Sequence, residues 1–233
     1  MFQTPGRFLK FRKTEESKMK NSKRVALLGM MCAIAFVAKL VSSVFPMVSG
    51  FLSFDLKDVV IVITGFICGP LPAALVTVVV SFIEMITISS TGIIGFVMNV
   101  LQSCAFACTA AVIYRKDHKM KGAIIGLVSG VLLTTAVMIL WNWLITPLYM
   151  HVPRSMVVGM LVPVFLPFNL VKGGINATLA MLLYKPVVTA LRKAKLVEPS
   201  KSGKGHVKWG VAIVSAVLLV TFVLLALVLA GKI

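Results

Sequence analysis

The sequence predicts an all-α, polytopic membrane helix bundle, with a six-helix core and an extra C-terminal transmembrane helix, and three observations carry that expectation. Of the 233 residues, 59% are hydrophobic and only 13% charged, whereas soluble domains carry about a quarter charged residues. Long apolar runs recur between charged or turn-forming residues, and they match the roughly 20 residues that a helix needs to cross about 30 Å of hydrocarbon. The alternating pattern of a barrel strand is absent, and lipid offers an open backbone no hydrogen-bond partners, so helices are the default.

The first helix is expected from about Val25 to Val48. It follows a basic tail, residues 1–24, that carries Arg7, Lys10, Arg12, Lys13, Lys18, Lys20, Lys23 and Arg24. No cleavage-like small-residue site follows the apolar run, which therefore reads as a retained helix and not a signal peptide. The stretch FLSFDLKD, Phe51 to Asp58, is too polar to face lipid. A short second helix, about Val59 to Cys68, ends at Gly69-Pro70, and a third runs from about Leu71 to Ser89, at the Ser-Ser-Thr-Gly turn. The fourth occupies about Ile93 to Tyr114 and the fifth about Gly122 to Tyr149. The sixth, about Met156 to Leu191, is interrupted in its first half by Pro163 and Pro167, which remove backbone donors. These six define a substrate-binding membrane domain over residues 25–193. Residues 194–206 read as a flexible solvated linker. Residues 207–233 hold a seventh helix, nearly pure Val, Leu and Ala, with an anchoring role and with Trp209 as its interface anchor.

A net charge of +17 would suggest nucleic acid in a soluble protein. Here the charges sit outside the spans and no basic soluble domain with interleaved aromatics exists, so the partner implied is the lipid bilayer and no nucleic acid. Lys and Arg crowd the N-terminal tail, the 114–121 connection and the stretch after the sixth helix, which places those three in the cytoplasm. Cys32, Cys68, Cys104 and Cys108 lie in apolar runs and read as packing residues. His118, His151 and His206 all fall in connections, so no metal site is expected.

Polar groups inside spans are costly and mark sites or tight interfaces. Asn142 lies between Trp141 and Trp143, and LPFNLVKGG places Asn169 and Lys172 three residues apart on one face, just beyond Pro167 and next to Phe168. The first connection adds Phe54, Asp55 and Asp58 at the same outer side. Together they predict a pocket with aromatic walls and a few amides, suited to a flat, largely uncharged heteroaromatic ligand, because an amide offers donor and acceptor side by side. The alternative for the asparagines is polar packing between helices. Lys39 is expected to snorkel to the outer interface, and Glu84 to be a solvated helix terminus. Asp55 and Asp58 could equally cap the second helix or belong to a lid. Gly29 and Ala33 form a flat stripe suited to close helix contact.

FLSFDLKD, GFICGPLPA, SSTG, KMKGAIIGLVSG, WNWLITPLYM and LPFNLVKGGINATLAMLLYK, in that order, resemble the riboflavin-specific S components of energy-coupling-factor (ECF) transporters over about Arg24 to Lys193. The resemblance implies a six-helix S-component core in a bacterial cell membrane that captures riboflavin, with FMN left open, from the extracellular side. It further implies association with a transmembrane coupling subunit and two cytoplasmic ATPases. Asn142, Asn169 and Lys172 would then contact the flavin and its ribityl chain, the loop around Phe51 to Asp55 would be the lid, and Gly29 and Ala33 would dock the coupling subunit. Riboflavin would be transported ligand and not cofactor. The seventh helix departs from the family pattern. Three other readings stay open: an S component for thiamin, biotin or folate, a small membrane enzyme, and a scaffold. No nucleophile-base pair, metal cluster or paired acids at membrane depth support the enzyme, and no Gly-rich phosphate loop is present.

Overall fold

A computed structural model describes residues 5–49, 52–194, 196 and 209–232, with only the backbone for residues 5–20 and Trp209. The expected linker apart from residues 194 and 196, Phe51 of the expected lid and the Trp209 side chain therefore lie outside the described residues. The described chain is helical almost throughout. In order come α1 (Pro5–Ser42), α2 (Lys57–Cys68), α3 (Pro70–Thr87), α4 (Gly92–Lys116), α5 (Met120–Met150), α6 (Arg154–Met160) and α7 (Leu166–Lys193), with α8 (Trp209–Leu229) last. Six stretches are long and apolar enough to cross a membrane, the α6–α7 rod counting as one and α2 as none.

Two boundaries differ from expectation for identifiable reasons. The basic tail does not precede the first helix but continues it, because nothing between Gly6 and Ser42 breaks the helical pattern. At its other end α1 stops at Ser42 and not Val48. The Ser42 and Ser43 hydroxyls donate to the Lys39 and Leu40 carbonyls at 2.7 and 2.6 Å, competing with the backbone ladder, and Pro46 prevents its resumption. The chain then folds back on itself through an isolated bridge between Val48 and Leu52.

At 12 residues α2 is only about 18 Å long. In the connection before it, Phe54 and Asp55 are buried. Irregular backbone at this depth is tolerated only under a cover of protein, and α2 itself sits in the middle of the bundle. Its turn into α3 requires Gly69, whose φ of 97° is a left-handed value that other side chains rarely adopt. Pro70 then occupies the first turn of α3, where no backbone donor is needed.

The irregular stretch expected at Pro163 is a π-turn, Leu161–Phe165, within the α6–α7 rod. Proline cannot supply the i−4 hydrogen bond, and the wider turn absorbs that loss without a break. Helices α4 and α5 pack closely along their length. A Cβ placed on Gly126 or Gly130 would fall 2.8 Å from the Ala110 carbonyl oxygen or 2.7 Å from that of Phe106, so only glycine lets the backbones approach. By the same geometry the Phe222 ring of α8 lies flat over Gly174 of α7.

Gly130→Leu is therefore expected to lower the thermal unfolding temperature of the detergent-solubilised protein, with an overpacking cost of about 1–3 kcal/mol. Gly29→Leu, where no atom lies within 4 Å of the new Cβ, is expected to leave it unchanged.

Candidate ligand-binding site

The loop end of the bundle is organised by one lysine. Lys57, at the start of α2, is fully buried, and its Nζ donates to both carboxylate oxygens of Glu84 on α3 at 2.8 and 2.7 Å. It also lies 3.2 Å from Asp55, which a half-buried Lys39 from α1 approaches at the same distance. Asn99 on α4 donates to Glu84 at 3.0 Å. At the next position of α2, Asp58 accepts hydrogen bonds from Ser103 and, at 3.2 Å, from Gln102, both on α4. The loop is thus tied to α1 and α2, and α2 to α3 and α4, by charges taken out of water.

Such ions are tolerable only when paired. Lys39, Lys57 and Lys172 oppose Asp55, Asp58 and Glu84, so the formal charges cancel. Burial pushes the Asp55 carboxyl up, but the positive charges of Lys57, Lys39 and Lys172 and the hydrogen bond from the Lys57 backbone outweigh it. Asp55 is held well below the usual carboxylate range and stays ionised.

Against this base stand the residues singled out from the sequence. Phe54 and Phe168 are buried, with ring centroids 5.2 Å apart, joining the loop to α7. Lys172 is buried with its Nζ 5.9 Å from the Phe168 ring centroid. Among the described residues it makes no direct ion pair, and the opposite charges that act on it at longer range are those of Asp55 and Asp58. Phe54, Asp55, Phe168 and Lys172 therefore form one group. Asn142 and Asn169 are buried on the neighbouring helices α5 and α7, but each amide turns to its own helix: Asn142 donates to the Met138 carbonyl at 2.7 Å and accepts from Thr146 at 2.8 Å, while Asn169 donates to the Phe165 carbonyl at 2.8 Å. Each keeps a second N–H and a free oxygen lone pair for another partner. Trp141 is half-buried beside Asn142.

Three expectations need correction. Glu84 is not a solvated terminus but 1% exposed, because Lys57 holds it inside. Lys39 does not snorkel outward; Asp55 turns its ammonium inward. Asp58 does not cap α2, since its carboxylate is spent on α4, whereas Asp55 accepts from the Lys57 backbone N–H at 3.0 Å as a cap would. Gly29 and Ala33 lie exposed on α1, with open space at Gly29.

Sequence reasoning missed Lys57, Asn99, Gln102 and Asn176. The last is 2% exposed on α7, one turn past Lys172, and its side-chain oxygen has no partner among the described residues. A signal did exist. Asn169, Lys172 and Asn176 repeat at 3 and 4, as do Thr77, Ser81 and Glu84 on α3, the spacing of a single helix face.

Comparison with known proteins identifies the family. A family model described as "ECF transporter, substrate-specific component" matches residues 23–184. The riboflavin transporter RibU of Staphylococcus aureus (strain TCH60) is 27% identical over 182 residues, covering 75% of this chain and 95% of the relative. The riboflavin transporter FmnP of Bacillus subtilis (strain 168) is 29% identical over 186 residues, covering 75% and 98%. A solved structure of the S component of a bacterial ECF transporter superposes with a TM-score of 0.62 at 28% identity, covering 74% of this chain and 99% of the other.

Removing one member of the buried pair strands the other, at a cost of about 3–5 kcal/mol. Lys57→Met and Glu84→Leu are each expected to lower the unfolding temperature sharply, and the double variant Lys57→Met/Glu84→Leu to recover part of the loss. Additive losses in the double variant would show that the two side chains do not act as a pair.

Proposed function

The chain belongs to the substrate-specific components of ECF transporters, and from that premise we propose that it is the riboflavin-capturing subunit of an ATP-driven vitamin importer. A substrate-specific component binds and delivers a transported ligand and is not an enzyme. The observation that carries the flavin reading is the group of Phe54, Phe168 and Lys172 at the loop end, with Asn142 and Asn169 on the flanking helices. Two aromatic rings supply apolar walls for a planar tricycle, and amides with unused donors and acceptors suit its pyrimidine edge. Lys172, which makes no direct ion pair among the described residues, suits a carbonyl or a hydroxyl cluster. The two relatives named as riboflavin transporters support the same ligand.

In this reading the loop containing Phe54 and Asp55 closes over the ligand from the extracellular side, and the basic end of the bundle faces the cytoplasm. Delivery requires a transmembrane coupling subunit and two cytoplasmic ATPases. The exposed small residues Gly29 and Ala33 on α1 provide a flat surface against which another membrane helix can pack closely. An S component for biotin or folate would be expected to place an arginine opposite the ligand carboxylate, and the group at the loop end contains none.

Purified protein is expected to quench riboflavin fluorescence at submicromolar concentration. Unchanged fluorescence together with binding of thiamin or biotin would overturn the flavin assignment. Asn169→Ala and Lys172→Ala are each expected to weaken binding by more than about 1 kcal/mol, the cost of stranding a buried hydrogen-bond partner. Gly29→Leu is expected to spare riboflavin binding by the isolated subunit and to abolish cellular uptake. Normal uptake would remove the docking role.

A further inference from the structure

The helix α8 lies beyond the matched residues 23–184, and the space it encloses has a definite chemistry. It packs along α7, with Phe222 seated on Gly174, and stands off from α5. Between the three helices runs a groove of about 700 Å³, lined by apolar side chains such as Val128, Val131 and Leu132 of α5 and Val214 and Leu218 of α8. Its lining extends along α7 from Leu170 to Met181, about 16 Å at the helical rise. That is about half the ~30 Å hydrocarbon thickness, the depth of one leaflet.

At the basic end the groove meets a second cavity of about 330 Å³, with Met181 and Val211 lining both. The character changes there: His118, Lys119 and Lys185 line this cavity together with Tyr114 and Tyr184, and among the described residues no acid does. Lys119 is exposed at the N-terminal boundary of α5. A one-leaflet apolar slot that opens on a cationic mouth is complementary to one kind of molecule, an anionic phospholipid.

We infer that α8 builds a phospholipid site against α5 and α7, with one acyl chain in the apolar groove and the headgroup phosphate at Lys119 and His118. Apolar fit alone would hold any lipid. The cationic mouth makes the site selective for an anionic headgroup, since a lysine near anionic lipid contributes about 1 kcal/mol, or about fivefold in affinity.

The test uses the full chain, delipidated in detergent and given phosphatidylglycerol or phosphatidylcholine with matched acyl chains. Native mass spectrometry reads retained lipid, and thermal unfolding reads stabilisation. Phosphatidylglycerol is expected to be retained at one molecule per chain, with about fivefold higher affinity than phosphatidylcholine, and to raise the unfolding temperature further. Lys119→Gln is expected to reduce phosphatidylglycerol retention about fivefold, and Val128→Trp, which fills the groove, to reduce retention with Lys119 intact. Riboflavin binding is expected to survive both changes. Equal retention of the two lipids would overturn the headgroup assignment. Retention of neither by the unmodified chain, a readout independent of whether any variant folds, would overturn the site. Stabilisation by inorganic phosphate alone to the same degree would overturn the role of the groove.

Discussion

The loop end of this bundle depends on keeping Lys57 charged and paired inside a low-dielectric interior. A buried ammonium costs several kcal/mol unless oxygens replace its water, and here Glu84 and Asp55 do so from two different segments. That requirement fixes α3 against α2 and draws the connection before α2 into the bundle. Asp55, once inside, orients Lys39 and so fastens α1 as well. The aromatic pair of Phe54 and Phe168 follows from the same constraint, because Phe54 adjoins Asp55 in the chain and is carried inward with it.

The glycines allow what the charges require. Polar pairing across helices demands close backbones, and the α4–α5 contact at Gly126 and Gly130 supplies them beside Gln102 and Ser103. The Thr134 hydroxyl on α5 also donates to the Gln102 carbonyl at 3.3 Å. Close packing and hydrogen bonding thus reinforce each other across α2, α4 and α5, where burial of apolar area contributes little because lipid is equally apolar.

The fold was legible because membrane helices announce themselves by length and hydropathy, and the irregular stretch at Pro163 by a missing donor. The boundaries that failed, at Ser42 and in the basic tail, turned on side-chain competition with the helix and on the absence of a breaker, both weaker signals. At the site, the group on α7 was legible because LPFNLVKGG concentrates polar residues in one span. Lys57 and Glu84 were misjudged because each lies near a helix end, where solvent is the default for a charge. Only their distance of 27 residues along the chain, closed by the turn at Gly69, brings them together. The stripe of Thr77, Ser81 and Glu84 would have placed Glu84 inward had its spacing been weighed against its position.

The cancellation among the six charges at the loop end has an electrical consequence. Moving one elementary charge through the full membrane voltage involves about 2.3 kcal/mol per 100 mV. A cluster of three lysines and three carboxylates that shifts as a unit along the membrane normal carries no net charge through that field. Its displacement is therefore indifferent to the resting potential, and an uncharged vitamin would cross with no current of its own.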